Sequence, residues 1–500
     1  MEGLTTTITP PAQTLRGYFI PYIVPSHISN LVDIAKLFAS RGVQVTILTT
    51  HYNSLRFKHS INNLGYQIDV EIVDFPFKEV GLPEGIENYT DATPDQASKV
   101  FQALLMLQNP MEQAIRAAKP DFIVSDMYYH WSADLANQLA IPRLVFHVKC
   151  YFALCAAEVL SRFAPHQKVE SDSELFLLPD LPDPIHMTRS QLPEWIQNRN
   201  PFSVFKEKID EGDKKSYGVI VNSSYELEKS YADFYRDNLG RRAWCIGPYS
   251  LHCDKVNINI NININININI NGTNKDDHPC FDWLNKRGQG EVIYVSFGSL
   301  SCFGAAQLLE LASALETSGH PFIWVVRNGE KLLPDGFEAR ITEQNKGVLI
   351  NGWAPQVKIL EHPAIGGFVT HCGWNSTLES LTAGVPMITW PLSAEQFYNE
   401  KLVTRVLKVG VEVGANKWSP SIGASTDLIE KDKIQRAIKE LMSKESEAEE
   451  RRHAVKEMSK AVRTAVHVGG SSSNNLTALI QELHCLKAAQ GTTILEQPKN

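Results

Sequence analysis

Two arrangements of apolar residues alternate along this chain. Short unbroken apolar runs, beginning with Gly17 to Tyr22, are followed by longer stretches in which apolar residues recur three and four apart, beginning with Ile28, Leu31, Val32, Ala35, Leu37 and Phe38. The first pattern suits a buried strand and the second a helix with one face on a core. Val24-Pro25-Ser26-His27 reads as the loop between them. Arg41-Gly42 supplies a basic last turn and a glycine cap before the next run, Val43 to Thr49. The unit recurs at Asp121 to Ser125 (strand), Trp131 to Leu139 (helix) and Pro142 to Val148 (strand). A second series consists of Val292 to Phe297, the helix Ala305 to Ser318, then Phe322 to Arg327, Val348 to Gly352, Ile365 to Thr370 and Met387 to Trp390. Repeated strand, helix, strand units predict parallel sheets flanked by helices, and two series predict two such sheets.

Between the series Asn and Ile alternate from Asn257 to Asn271. Two-residue alternation is the strand template and carries some aggregation hazard. Its place between two predicted sheets marks it instead as an expanded linker, since lengthening a loop costs little. Toward the end, Glu447 to Arg463 and Leu476 to Leu483 read as helices separated by a Gly/Ser turn.

Composition narrows the function classes. A chain of 500 residues exceeds one ordinary core, and 43% hydrophobic with 21% charged residues is a globular composition. A net charge of −8 without a basic run argues against nucleic-acid binding. Met1 to Gln13 has neither the basic nor the apolar region of a signal peptide, and no apolar stretch reaches a transmembrane length. The eight cysteines show no CxxC pair or zinc spacing, as free thiols in a reducing compartment would. A cytosolic protein is expected, and a monomer.

Trp353 to Gln396 carries the chemistry: WAPQVKILEHPAIGGFVTHCGWNSTLESLTAGVPMITWPLSAEQ. Within it the strand Ile365 to Thr370 runs into His371-Cys372-Gly373-Trp374-Asn375-Ser376, a turn opening the helix Thr377 to Ala383, which Gly384 and Pro386 close. A helix N-terminus after a strand offers free N–H groups and a positive dipole end, a natural place for a diphosphate. His371, Asn375 and Ser376 add donors. Equally, Asn375 or Ser376 caps the helix, with Glu379 completing a capping box.

The whole segment resembles, nearly residue for residue, the signature box of plant secondary-product glycosyltransferases, the family-1 UDP-glycosyltransferases; the resemblance extends from about Tyr18 to Leu483. It implies an α/β chain of GT-B architecture, two Rossmann-like domains facing a cleft. The expected division is a tail over 1–16, an acceptor-binding domain over 17–250, a linker over 251–280, a UDP-sugar-binding domain over 281–465, a C-terminal helix over 466–485 packing back on the first domain, and a tail over 486–500. By resemblance Trp353 stacks on uracil, Ala354 and Gln356 hydrogen-bond base and ribose, and Glu379 takes the ribose hydroxyls. His371, Asn375, Ser376 and Ser299 meet the phosphates, and Trp374, Glu395 and Gln396 the hexose hydroxyls. His27 is then the base, oriented by Asp126, and the reaction an in-line displacement that inverts an α-linked donor. The resemblance calls for a UDP-sugar co-substrate, with no metal and no other cofactor, and for a small lipophilic acceptor.

Three positions depart from the family pattern: Ser26 stands for Gly, Asn30 for Pro, and Lys149 for the Thr or Ser near the sugar 6-position. Lys149 is therefore a possible sugar selector, favouring a carboxylate as in UDP-glucuronate, unless its head simply reaches water. Gln396 resembles the glucose-using members, against galactose users that carry His. Tyr128, Tyr129, Trp131, Tyr151, Phe152 and Leu154 are candidates for an apolar acceptor wall. The stretches Leu178 to Ile196 and Lys214 to Tyr231 look most like triterpenoid saponin transferases, with flavonoid transferases next. A UDP-sugar epimerase and a catalytically silent UDP-sugar binder are the competing readings; His27 with Asp126 speaks against silence.

Overall fold

Strands that are buried along their whole length, such as Phe122–Asp126, Arg143–His147, Val292–Ser296 and Ile365–Thr370, explain why the apolar runs are unbroken instead of alternating: helices cover both faces. The computed structural model describes residues 14–62, 64–253, 278–298, 303–326, 329, 332–420 and 427–495. Ser299 and the Asn/Ile tract lie outside the described residues.

The first sheet has seven strands in the order Ile68–Val73, Gln44–Thr50, Arg16–Ile20, Phe122–Asp126, Arg143–His147, Gly218–Val221 and Ala243–Cys245, all parallel. The second has six, in the order Gly347–Asn351, Phe322–Val326, Val292–Ser296, Ile365–Thr370, Met387–Thr389 and Gly410–Glu412, again all parallel. Both are doubly wound. Strand order reverses beside Arg16–Ile20 in one sheet and beside Val292–Ser296 in the other, and such reversals open the crevices where these sheets bind ligands.

Local boundaries differ from expectation at three places that matter. The first helix is Pro25–Ala39, so His27 lies in its first turn and not in a loop; Pro25 presets a helical φ at a position where its missing N–H costs nothing. The helix of the signature box is Trp374–Ala383, three residues longer than expected, and Gly384 closes it in the left-handed region at φ 75°. The last helix runs Ser471–Leu495, through what was expected to be a tail. Its residues Leu476, Leu479, Ile480 and Leu483 are buried in one cluster with Phe19 and Phe38 of the first sheet's flank. Lys487 Nζ then donates to Asp121 Oδ2 at 2.9 Å, which ties the next turn down as well. Before it, the helix Ser446–Ala465 rests on the second half, where Ser459 Oγ donates to Thr382 O at 2.6 Å.

Candidate active site

The strand reversal in the first sheet brings two sequence-distant residues into contact. Asp126 is the last residue of its strand, and His27 sits just past the neighbouring strand, whose Ile20 pairs with Ser125. His27 Nδ1 and Asp126 Oδ2 are 2.6 Å apart, with the aspartate side chain fully buried and the imidazole 14% exposed. The other aspartate oxygen accepts from the Tyr128 backbone N–H at 3.1 Å. Arg143, itself buried, braces the strand end through Ser125 Oγ at 2.8 Å and the Asp126 carbonyl at 3.2 Å. With Nδ1 occupied, Nε2 is the nitrogen left to face a ligand. Tyr22 and Tyr128 flank the imidazole, their ring centres 5.6 and 5.8 Å from it; Tyr22 was not singled out from sequence, and only its place at a strand's carboxyl end hinted at it.

In the second half, the helix Trp374–Ala383 begins at Gly373, which has no side chain to cap it, and no side-chain cap forms. The expected capping box is absent because the Glu379 carboxylate turns away to accept from Gln356 Nε2 at 2.7 Å. The same amide donates to Ser376 Oγ at 3.0 Å, and Tyr294 OH donates to Gln356 Oε1 at 3.2 Å. Gln356, Ser376 and Glu379 thus form one polar cluster, and burial pushes Glu379 up to about 7. Trp353 beside it is 41% exposed, an unusual position for an indole, and Ala354 is buried.

His371 packs under the loop that follows Val292–Ser296. A Cβ added at Gly298, which has φ +76°, would come within 2.7 Å of the His371 Nε2, and one at Gly373 within 2.5 Å. Desolvation lowers the imidazole to about 4, and its Nδ1 has no partner. His371 is therefore neutral near pH 7 and meets an anion through a hydrogen bond and not as a cation.

Two residues expected at the hexose are engaged elsewhere. The Trp374 indole is 1% exposed and donates to the Asn222 carbonyl of the first half at 2.6 Å. The Gln396 side-chain oxygen accepts from the backbone N–H groups of Leu392 and Ser393, each at 2.8 Å. Glu395 stays available: burial raises its pKa, while the charges of Lys149 and His27 pull it back. Asn399, unanticipated from sequence, donates to Cys372 O at 2.8 Å and accepts from Cys150 Sγ at 3.4 Å across the cleft.

Of the proposed acceptor aromatics, Tyr129, Trp131, Tyr151 and Phe152 are core, whereas Tyr128 and Leu154 remain partly exposed. A cavity of about 1100 Å³ opens in the first half between the helices Tyr151–Phe163 and Pro201–Lys215. Met127, next to Asp126, lines it, as do Lys149 and Leu154; His27 does not. Among the described residues no cluster of His, Cys, Asp or Glu could hold a metal, and no helix is long and apolar enough to cross a membrane.

Comparison with known proteins gives the geometry its context. The family model described as UDP-glucoronosyl and UDP-glucosyl transferase matches residues 254–449. Soyasapogenol B glucuronide galactosyltransferase of Glycine max is 44% identical over 485 residues, 95% of this chain and 97% of that protein. Anthocyanin 3'-O-beta-glucosyltransferase of Gentiana triflora is 44% identical over 482 residues, 94% and 98% of the two chains. Among solved structures, Glycyrrhiza uralensis UGT73P12 complexed with glycyrrhetinic acid 3-O-monoglucuronide superposes with a TM-score of 0.88 at 40% identity, covering 96% of this chain and 98% of that one.

Proposed function

Because the chain belongs to the family of UDP-glucuronosyl and UDP-glucosyl transferases and has their GT-B fold, we propose that it is an inverting UDP-glycosyltransferase moving glucose from UDP-glucose to a hydroxyl or carboxyl group of a lipophilic plant metabolite. A triterpenoid or steroidal saponin acceptor is favoured, a flavonoid next, with UDP-glucuronate and UDP-galactose as the alternative donors.

The observation that carries this reading is the 2.6 Å contact of His27 with Asp126 at one strand reversal, facing an uncapped helix start at the other. Asp126 holds the His27 proton on Nδ1 and stabilises the imidazolium that forms. Nε2 accepts the acceptor's hydroxyl proton as its oxygen bonds to the anomeric carbon. The bond from that carbon to the diphosphate oxygen breaks, and the backbone N–H groups at Trp374–Ser376 receive the developing charge, with His371 donating a hydrogen bond. Asn375 and Ser376 assist there, Trp353, Ala354, Gln356 and Glu379 bind the nucleoside, and Glu395 binds the hexose. By resemblance Trp374 and Gln396 meet the hexose as well, with the Trp374 indole held on the Asn222 carbonyl and the Gln396 oxygen on the Leu392 and Ser393 N–H groups. This chemistry calls on no metal. A cytosolic monomer is proposed with it, the reducing compartment being supported by the free thiols of Cys150, Cys155, Cys245, Cys280, Cys372 and Cys485.

The test is incubation with a panel of UDP-sugars and aglycones, with product mass as the readout. A gain of one hexose on a triterpenoid or flavonoid is expected; release of a changed UDP-sugar without any conjugate would overturn the proposal in favour of an epimerase.

A further inference from the structure

Lys149 ends the loop after the strand Arg143–His147 and lines the 1100 Å³ cavity together with Lys206. Among the described residues it makes no hydrogen bond and no direct ion pair, although burial disfavours its charge and the ammonium of Lys206 disfavours it further. None of the carboxylates nearby pairs directly with Lys149, although Asp213 Oδ1 has no hydrogen-bond partner. Asp210 is paired with Lys206. Asp213 Oδ2 lies 2.9 Å from His147 Nε2, and its Oδ1 3.9 Å from Arg143 Nη1. Glu395 acts on Lys149 only through space, from the donor side of the cleft. Lys149 is thus a cation on the cavity wall without a direct partner, beside the Lys206–Asp210 ion pair, an arrangement that a ligand anion relieves.

We propose that Lys149 and Lys206 form an anion subsite for the acceptor, so that the enzyme prefers lipophilic acceptors bearing a carboxylate over their neutral counterparts. This rests on the glycosyltransferase reading and on entry of the acceptor through this cavity. The carboxylate has two possible sources: an acid group of the aglycone itself, or a uronic acid already attached to it. Met127, the neighbour of Asp126 in sequence, lines the same cavity, and Lys149 lies close enough to Glu395 for each charge to act on the other.

The experiment uses the full-length enzyme with UDP-glucose and two matched acceptor pairs. One pair is a triterpenoid glucuronide and the corresponding glucoside, which differ only in carboxylate against hydroxymethyl. The other is a triterpenoid carboxylic acid and its methyl ester. The expected result is a kcat/KM ratio of about tenfold or more in favour of the carboxylate in at least one pair, expressed mainly in KM. The pair that shows it names the source of the anion. In Lys149→Met the ratio falls to within about threefold of unity, and in Lys206→Met it falls part of the way. Because each ratio is taken within one preparation, a partly misfolded variant does not disturb it. A wild-type ratio near one in both pairs, or one that survives Lys149→Met, would overturn the inference while leaving transfer to neutral acceptors, and with it the proposed function, intact. A preference for UDP-glucuronate on a neutral acceptor that Lys149→Met abolishes would also overturn it, moving Lys149 to the donor. Absence of transfer from any UDP-sugar would overturn both.

Discussion

Asn30 of the first half and Asn375 of the second share a hydrogen bond of 3.0 Å, from Nδ2 to Oδ1. The other hydrogen of the Asn30 amide goes to Ser26 O at 2.7 Å, and its oxygen accepts from Asn222 Nδ2 at 3.2 Å. Asn222 also takes the Trp374 indole on its carbonyl. A buried amide with every group spent thus joins the helix bearing His27 to the helix start facing the leaving group. The Pro that the family commonly has at this position could form none of these bonds.

Asn30→Ala is expected to raise KM for the UDP-sugar about three- to tenfold, as loss of one or two buried hydrogen bonds would, and to leave KM for the acceptor nearly unchanged. Steady-state kinetics with each substrate varied separately measure both. An equal rise in the two constants would show that Asn30 serves only the fold.

Removing the base has a different signature. His27→Ala is expected to lower kcat by about 10²–10⁴ while UDP still binds, as general-base loss does. Turnover under saturating substrates, together with calorimetric titration of UDP, separates the two effects. Asp126→Asn should fall in the same direction, because it offers the imidazole no charge to stabilise its cation.

Glu379 makes stability depend on pH in a direction opposite to that of a salt-bridged carboxylate. Its pKa is raised from 4.5 to about 7 in the folded protein, so the folded state binds the extra proton between those values. Its contribution is fully favourable below the unfolded pKa and is lost as pH rises through 7. Glu379→Gln should therefore gain on the wild type between pH 5 and pH 8, by on the order of 1–3 kcal/mol. Thermal melts of the substrate-free proteins across that range provide the check, and parallel curves would refute it.

Gly298→Ala tests the close approach over His371. The residue sits at φ +76°, and its new Cβ would meet the ring nitrogen at 2.7 Å. A cost of about 1–3 kcal/mol is expected in the melting transition, with weaker UDP binding as the imidazole is displaced.

Much of the frame was readable because it depends on short-range pattern. Val292–Ser296 and Ile365–Thr370 are continuous apolar runs, and the order of units alone predicts two doubly wound sheets. The pairing of His27 with Asp126 came from the family resemblance, and their places at carboxyl ends of neighbouring strands are what let them meet. What escaped was decided by partners far away in sequence. Nothing near Trp374 says that its N–H will meet Asn222, and nothing near Glu379 says that Gln356 will draw its carboxylate out of a capping box. The aromatic residues from Tyr128 to Phe152 look alike in sequence, and only the packing of Tyr129, Trp131, Tyr151 and Phe152 against other elements separates core from wall.

The last helix has a mechanical consequence. The chain leaves the first half between Cys253 and His278, and it comes back when Ser471–Leu495 settles on the first sheet. The halves are thus strung on two covalent crossings. The second crossing, fixed on the first sheet by the buried Leu476, Leu479, Ile480 and Leu483, confines the two halves to a narrower range of relative positions than a single tether would.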